Sequence, residues 1–473
     1  MFSRLPPPTS ECSRRPGNVL ACVALLIVLS VCARVSVAQG RAIALQDATL
    51  FIGTGQVIEH GTVMFQDGEI LAVGAEVKPS FLARKISVPG KYITPGLIDA
   101  GTTLGLRVAP GANVATARAL DAFDPYAADE MRAAWRDGVT AVYLPASTGA
   151  GIGGLAAIVR LGRPTESDDF VLAGEAELCA TVGGANQPGP LVRVKLVEEL
   201  RRRFQAAKDY RDAWDDYRDS LKEYEEKLAE RAKKDAAAGK PDSGHGPAAK
   251  KGADEQKPDE PSADKKEPAK DELKKPTEPA KDRSAELLLR VLDGELRLRV
   301  EAHDPADILN VLDLAEEFGV ALVLEGATGA HLVAERLAHR DVPVVLTAPP
   351  APLAYTGGPE RFARADAAAL LNGAGVRVYF GSGAVPLPDG APRLTLRVAQ
   401  ATRAGFVDDA GLVALTGGAA RLLGVEKKIG RLATGLQADL VVWSAHPLSP
   451  GARVERVYVG GREVGRASCR ERV

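Results

Sequence analysis

The chain has few cysteines and no excess of charge of either sign, and both shortages exclude classes of protein. Of its five cysteines, three lie within the first 32 residues and one at position 469, so Cys179 stands alone in the body of the chain. A disulfide framework is therefore excluded there, and Cys179 is expected to be a small buried residue. The formal net charge of -2 and a sequence pI near 6.4 give no attraction to nucleic acid or to an acidic membrane surface.

The first forty residues differ in character from the rest. Arg14 and Arg15 precede the apolar run VLACVALLIVLSVC, and the small residues VSVA lead up to Gln39. The apolar run is shorter than the roughly 20 residues that a membrane-spanning helix needs. We therefore predict a signal peptide over residues 1–38, cleaved after Ala38, and a secreted or periplasmic protein without a stable membrane anchor.

Two blocks of alternating apolar and polar residues lie at opposite ends of the chain. The first contains ATLFIGTG and GTVMFQDGEILAVG, and the second contains GLQADLVVWSAHP and RVERVYVGGREV. This alternation predicts strands, and we expect residues 39–96 and 418–464 to complete one small composite β-sandwich. Residues 465–473, GRASCRERV, do not continue the pattern and are interpreted as a sequencing artefact.

Between these blocks, continuous apolar strands alternate with helical stretches. GVTAVYLPAS, LRLRVEAH, VALVLEG, VPVVLTAPP and VRVYFGSG have the pattern of strands, with DPADILNVLDLAEEFG and HLVAERLAHR as helices among them. The alternation predicts a parallel α/β fold, with a (β/α)8 barrel over residues 97–417 as the leading architecture and a doubly wound sheet as the alternative. In such a barrel, the chemistry lies at the carboxyl ends of the strands.

A charged segment interrupts this region. Over residues 192–228, apolar side chains recur at spacings of three and four, which predicts a long helical arm. Residues 229–284 are rich in Lys, Glu, Asp, Pro and Ala and are expected to form a disordered linker. The arm either packs on its own barrel, which we favour, or docks a partner.

Several motifs in a fixed order resemble the amidohydrolase superfamily. DGEILAVG at 67–74 and ITPGLID at 93–99 open the pattern, VEAHDPADILNVLDLAEEFGVALVLEG spans 300–326, and GLQADLVVW closes it at 435–443. The barrel is similar in kind to those of imidazolonepropionase and dihydroorotase. The resemblance implies a (β/α)8 barrel with a composite β-sandwich, and hydrolysis of carbon–nitrogen bonds other than peptide bonds.

The resemblance also implies a metal site, made of an HxH pair after PGLID, a carboxylated Lys or a Glu on a central strand, one His on each of two later strands, and an Asp on the last. In this chain the HxH, later-strand His and Asp positions are occupied by Gly101, Thr103, His303, Gly326 and Gly383. Only His303 is a ligand type, and Lys195 and Glu198 are the nearest candidates for the central strand. We therefore expect no bound cofactor, or Zn²⁺ or another divalent metal ion only if the site has been rebuilt.

Two interpretations of His303 remain open. It is either a family remnant hydrogen-bonded to a neighbour or an acid–base residue working with a nearby carboxylate. The carboxylates considered are Asp304, Asp307 and Glu325, although at least one of the first two is expected to cap a helix. Asp99 and Asp439 are expected to be structural. The other histidines are scattered, at His60, His245, His331, His339 and His446.

Three functions follow from these observations. The first is a catalytically degenerate exported protein of this superfamily that binds a small-molecule ligand or a partner. The second is an active hydrolase with a rebuilt or metal-independent site using His303. The third is a structural role as a homo-oligomer or beside an intact paralogue, with the charged arm mediating contact.

Overall fold

The computed structural model describes residues 41–107, 116–146, 151–162, 170–182, 189–237, 273–347, 359–383 and 393–466. The predicted signal peptide over residues 1–38, residues 238–272 of the predicted linker with His245, and residues 467–473 lie outside these ranges. Within them, helices and strands alternate through the middle of the chain, as expected for a mixed α/β protein.

The described part of the chain contains eighteen strands. They are β1 (Ile43–Phe51), β2 (Val57–Gln66), β3 (Glu69–Gly74), β4 (Arg84–Ser87), β5 (Tyr92–Pro95), β6 (Leu97–Asp99), β7 (Val139–Leu144), β8 (Gly151–Leu155), β9 (Ala157–Arg160), β10 (Val171–Ala173), β11 (Glu177–Thr181), β12 (Arg297–Ala302), β13 (Leu322–Gly326), β14 (Val344–Leu346), β15 (Val378–Phe380), β16 (Leu440–Trp443), β17 (Val454–Val459) and β18 (Arg462–Arg466).

One eight-stranded sheet takes its strands from both ends of the chain. Its order is β18-β17-β16-β5-β1-β2-β3, with β4 paired to β1. The two ends meet where β16 runs antiparallel to β5 and Leu440 lies opposite Pro95. Leu50, Phe65 and Tyr458 lie in its core, so strands distant in sequence bury each other's apolar face. Strand β18 includes Gly465 and Arg466, the first two residues of the segment 465–473 that the sequence pattern indicates to be a sequencing artefact.

Two further sheets hold the remaining strands, in the orders β10-β9-β7-β6 and β15-β14-β13-β12-β11-β8. Strands β11 to β15 are parallel to one another, and β6 is parallel to β7. Every residue of β7, β11 and β13 is buried, as is usual for parallel strands that are covered on both faces.

Hydrogen bonds join these two sheets on both sides. On one side, Ala156 links β8 to β9 and its amide donates to the Glu177 carbonyl at 2.9 Å. On the other, the Ala100 amide donates to the Phe380 carbonyl at 3.2 Å, and the Gly383 amide donates to the Gly101 carbonyl at 2.8 Å. The last parallel strand, β15, is therefore adjacent to the first, β6.

The all-parallel order predicted from the sequence is wrong at one place. Strand β9 runs antiparallel to β7, and β8 runs antiparallel to β11. The cause is the short connection from Leu144 to Gly151, because a parallel return needs a crossover of about a dozen residues or more.

Ten helices accompany the strands in the described ranges. They are α1 (Ala119–Ala122), α2 (Ala128–Arg136), α3 (Gly189–Ala237), α4 (Arg283–Leu292), α5 (Pro305–Phe318), α6 (Ala334–His339), α7 (Ala367–Gly373), α8 (Leu394–Arg403), α9 (Asp408–Ala414) and α10 (Gly417–Leu422). Short 3-10 turns cover Ala330–Val333 and Pro359–Phe362. None of the described helices has both the length and the apolar composition to cross a bilayer.

The charged arm is longer than its predicted range of 192–228. Helix α3 has 49 residues and extends through 229–237, and α4 begins at Arg283, so both ends of the predicted linker are helical. The Lys, Glu and Ala residues of 229–237 are strong helix formers. Near its start, α3 buries Leu200 and Phe204, and the Phe204 ring lies 5.2 Å from that of Phe318 on α5.

The chain that precedes α4 contacts α3 at Tyr210. In residues 273–282, Leu273, Pro276 and Pro279 are partly buried while the residues between them are exposed, a period of three that is typical of polyproline II. The Asp282 amide donates to the Tyr210 hydroxyl at 3.5 Å, which fixes the end of this segment against α3.

Asp137 connects the end of α2 to the start of α8. Its carboxylate accepts hydrogen bonds from the Leu394 amide at 2.7 Å and the Thr395 hydroxyl at 3.1 Å. Burial raises the pKa of Asp137 to about 7, although these hydrogen bonds oppose the shift. The folded protein therefore keeps a proton on this carboxyl at pH values where the unfolded chain has lost it.

We expect Asp137→Asn to flatten part of the pH dependence of stability. Because the pKa is higher in the folded state, the contribution of Asp137 to the free energy of unfolding is present below about pH 4 and is lost as the pH rises to about 7. Denaturant unfolding from pH 4 to 8 should show a smaller decline in the variant than in the wild type. Parallel curves would contradict the assignment.

Candidate functional site

The five positions implied by the metal-site pattern all lie at the carboxyl ends of the strands. Strands β12 and β13 pair in parallel with Ala302 opposite Gly326, which brings His303 beside Gly326. Across the junction of β6 and β15, the Thr103 amide donates to the Gly383 carbonyl at 3.3 Å, and Gly383 donates to Gly101. The structure thus places these sequence positions at one end of the strands.

His303 is buried, with an exposed fraction of 1%. Its Nδ1 lies 2.8 Å from the Thr328 hydroxyl, and its Nε2 lies 3.3 Å from Glu301 Oε1. Both ring nitrogens therefore already have partners. A β-carbon added at Gly326 would lie only 2.6 Å from His303 Cε1, and Gly326 has a φ of +79°, so a side chain at this position would collide with the imidazole.

Below His303, the guanidinium of Arg299 lies at the centre of a buried ionic cluster. Its Nε donates to Glu325 Oε2 at 2.7 Å, its Nη1 to Glu177 Oε2 at 3.3 Å, and its Nη2 to the Ala100 carbonyl. The guanidinium also lies 3.8 Å from the centre of the Tyr143 ring, a cation–π contact. Arg299 is 1% exposed, so its charge is balanced within the protein rather than by water.

Gly101 provides the space for this cluster. A β-carbon at Gly101 would lie 2.6 Å from Glu325 Oε1 and 3.2 Å from Arg299 Nη2. The position where the family pattern has a histidine therefore faces a carboxylate and a guanidinium that leave no room for one.

The titratable groups of the cluster are shifted by burial. Burial raises the pKa of Glu325, and the positive charge of Arg299 opposes that shift. Burial also raises the pKa of the Cys179 thiol to about 12, which keeps it protonated and unsuited to act as a nucleophile. Cys179 is buried, as the sequence predicted, and its sulfur lies 3.4 Å from the Tyr143 hydroxyl.

These residues do not fit the metal ion that the sequence resemblance implies. In the described ranges, no group of three or more His, Cys, Asp and Glu side chains is arranged to hold a metal. The carboxylates that approach the interior, Glu177 and Glu325, are bonded to Arg299, and a divalent cation would have to compete with that guanidinium for them.

A second polar cluster joins β6 to the chain after β15. Asp99 accepts hydrogen bonds from the Ser382 amide at 3.0 Å and the Gly101 amide at 3.2 Å, and the Ser382 hydroxyl bonds to both Asp99 and Thr102. Burial raises the pKa of Asp99 to about 6 against these hydrogen bonds. Asp99 thus has the structural role expected for it.

The remaining sequence candidates lie elsewhere. Lys195 and Glu198 are exposed on α3 and not on a strand, so neither is a central-strand ligand; the strand before β12 is β11, which carries Glu177. Asp304 caps α5, as expected for at least one of Asp304 and Asp307. Asp307 forms an ion pair with Arg193 at 2.8 Å. Asp439 accepts from the Gly460 amide at 2.6 Å, a structural contact.

The other four histidines in the described ranges lie in other parts of the fold. His331 lies in a 3-10 turn and His339 at the end of α6, His446 stacks edge-on against Tyr92, and His60 is bonded to Asp47. None of these four contributes to the cluster around Arg299.

Sequence reasoning missed Arg299 and Glu177, although one signal was present. In RLRVEAH, the polar residues at 297, 299, 301 and 303 alternate with apolar ones, so all four lie on the same face of β12. Because the strand is buried on both faces, charged residues at this period have to be paired inside the protein.

Comparison with known proteins agrees with this fold. The amidohydrolase family model matches residues 96–464. An amidohydrolase from Thermotoga maritima MSB8 is 25% identical, with a TM-score of 0.67 over 90% of this chain and 100% of its own. A prolidase complexed with N-methylphosphonate-L-proline is 16% identical, with a TM-score of 0.52 over the same shares. No curated protein sequence matches the chain significantly. Since the family model covers most of its length, the chain belongs to the amidohydrolase family.

Proposed function

We propose that this protein keeps the amidohydrolase scaffold but has lost metal-dependent hydrolysis, and that it acts by binding a small-molecule ligand or a partner. The observation that carries the proposal is the guanidinium of Arg299, bonded to Glu325 and Glu177 in the space next to Gly101. The positive charge of this side chain binds the two interior carboxylates that a metal ion would otherwise attract.

The scaffold in this proposal is a (β/α)8 barrel. Two observations support it. Strands β6, β7 and β9 pair in one sheet, and β8 and β11 to β15 pair in the other. Hydrogen bonds then join β15 to the residues that follow β6. The eight-stranded sheet from both chain ends corresponds to the composite β-sandwich of the proposal. The antiparallel β8 and β9 take the place of one parallel strand.

Three lost ligand positions support the loss of the metal. A side chain at Gly101 would meet Glu325, and one at Gly326 would meet His303. Gly383 has a φ of +73° and bonds to the backbone of the residues that follow β6. At each of these positions, the present neighbours or the backbone conformation fit a glycine and not the metal-binding side chain of the family pattern.

A second candidate, an active hydrolase with a metal-independent site, is favoured by one contact. His303 Nε2 lies 3.3 Å from Glu301 Oε1, and Glu301 is partly exposed, so a histidine–carboxylate pair is present near the sheet edge. Such a pair could transfer protons to and from a substrate.

We expect the purified protein to retain no metal after incubation with Zn²⁺ or Mn²⁺ and extensive dialysis, when metal content is measured by mass spectrometry. It should also fail to hydrolyse a panel of amides and cyclic amides. Near-stoichiometric metal that disappears in His303→Ala would contradict the proposal. Hydrolysis without metal that is lost in His303→Ala at unchanged folding would favour the second candidate.

We expect Arg299→Met to destabilise the protein by about 3–5 kcal/mol, because Glu325 is left as an unpaired buried charge. The loss should be smaller near pH 4.5, where Glu325 can take up a proton, and larger at pH 8.

The matched control is Arg299→Met combined with Glu325→Gln, which removes the orphaned charge and should recover part of the stability at pH 8. Denaturant unfolding at the two pH values measures both effects. If Arg299→Met alone is as stable as the wild type, the guanidinium does not stabilise the cluster.

We also propose that the protein is exported. The basis is the sequence of residues 1–38, with Arg14 and Arg15 before an apolar run and small residues before Gln39. N-terminal sequencing of the protein recovered outside the cytoplasm should begin at Gln39. An intact N-terminus beginning at residue 1 would reject the cleavage.

A further inference from the structure

A cavity of about 570 Å³ lies outside the interior cluster, at the carboxyl ends of β14 and β15. Leu346 and Phe380, the last residues of these strands, form its apolar wall together with alanines of α7 and α8. Its volume is in the range of small-molecule sites in proteins, roughly 300–1,000 Å³.

The polar lining of this cavity is cationic. Arg364, Arg397 and Arg403 line it with the neutral Gln400, and no Asp or Glu is among its described lining residues. Arg364 is already neutralised by a two-point ion pair with Asp366, at 2.8 and 2.7 Å. Two guanidinium groups therefore remain to interact with a ligand.

Arg397 lacks a carboxylate partner of its own among the described residues. Its Nη1 donates to the Gly381 carbonyl, and the negative charge that acts on it belongs to Asp99, which is already bonded to Ser382 and Gly101. Burial lowers the pKa of Arg397 to about 10, against the effect of Asp99. A bound anion would balance this partly buried charge.

A second cavity shows that arginines lining a cavity of this protein can be paired with carboxylates. About 480 Å³ in volume, it lies at the opposite ends of the strands and is also lined by arginines. There, Arg340 is paired with Glu316 and Arg377 with Asp341 at 2.9 Å, and both carboxylates line the same cavity. The arginines Arg340 and Arg377 in that cavity are paired with carboxylates, whereas Arg397 and Arg403 have no carboxylate partner within the described ranges.

We propose that the cavity between α7 and α8 binds a small organic anion, whose oxyanion group is held by Arg397 and Arg403 and whose apolar part lies against Phe380 and Leu346. The exposed Arg403 and Gln400 lie at the rim, and Arg397 lies deeper. A carboxylate or a phosphate satisfies the geometry, since a guanidinium binds either through paired N–H donors. The site is separate from the cluster around Arg299, so it does not depend on whether the interior is catalytic.

The test uses fluorine NMR titration of the purified full chain with 4-fluorobenzoate, 4-fluorophenyl phosphate and the neutral 4-fluorobenzamide. We expect the two anions to bind, the amide to bind at least about tenfold more weakly, and binding of the anions to weaken with added NaCl. The stronger of the two anions identifies the carboxylate or the phosphate as the preferred group.

Three variants localise the binding. Arg397→Met should weaken anion binding about tenfold, and the exposed Arg403→Gln about three- to fivefold without affecting folding. The matched control Arg377→Gln, in the second cavity, should leave binding unchanged. If Arg397→Met fails to fold, Arg403→Gln decides alone.

Several outcomes would overturn the proposal. They are the absence of anion binding to the wild type, equal binding of the neutral amide, and unchanged binding in Arg403→Gln. These binding measurements do not depend on whether the protein hydrolyses amides or binds a metal ion. This proposal and the proposed function can therefore fail independently.

Discussion

The buried guanidinium of Arg299 connects five strands of the interior. It lies on β12 and contacts Glu325 of β13, Glu177 of β11, Tyr143 of β7 and the carbonyl that follows β6. A buried charge is tolerated only when its donors are satisfied, because removing one partner leaves an uncompensated ion. Five strands are therefore constrained to one relative arrangement by a single side chain.

The glycines at the sheet edge follow from this arrangement. Gly101 leaves space for Glu325, and Gly326 lies under the His303 ring with a left-handed backbone. Gly383 continues the hydrogen bonding between β15 and β6. A histidine introduced at Gly101 or Gly326 would meet atoms of the packed interior, so it would require simultaneous changes in their neighbours.

Much of the fold could be predicted from the sequence, because period-two and continuous apolar runs mark strands and β16 meets β5 as expected from the two β blocks. The edge carrying His303 was also predictable. The antiparallel β8 and β9 were not, since a glycine-rich apolar run has no direction in sequence. Arg299 and Glu177 were missed because their pairing joins residues 122 positions apart, which local patterns do not encode.

Helix α3 affects how the whole molecule moves through solution. With 49 residues it is about 74 Å long at 1.5 Å per residue, and the described side chains beyond Tyr224 are all exposed. The first part of α3 is packed against the rest of the protein, but its exposed distal part increases the frictional drag relative to a sphere of the same mass. The protein will therefore elute from a sizing column ahead of a sphere of its mass of 49.7 kDa, even as a monomer, so shape and oligomeric state have to be separated by sedimentation equilibrium or light scattering.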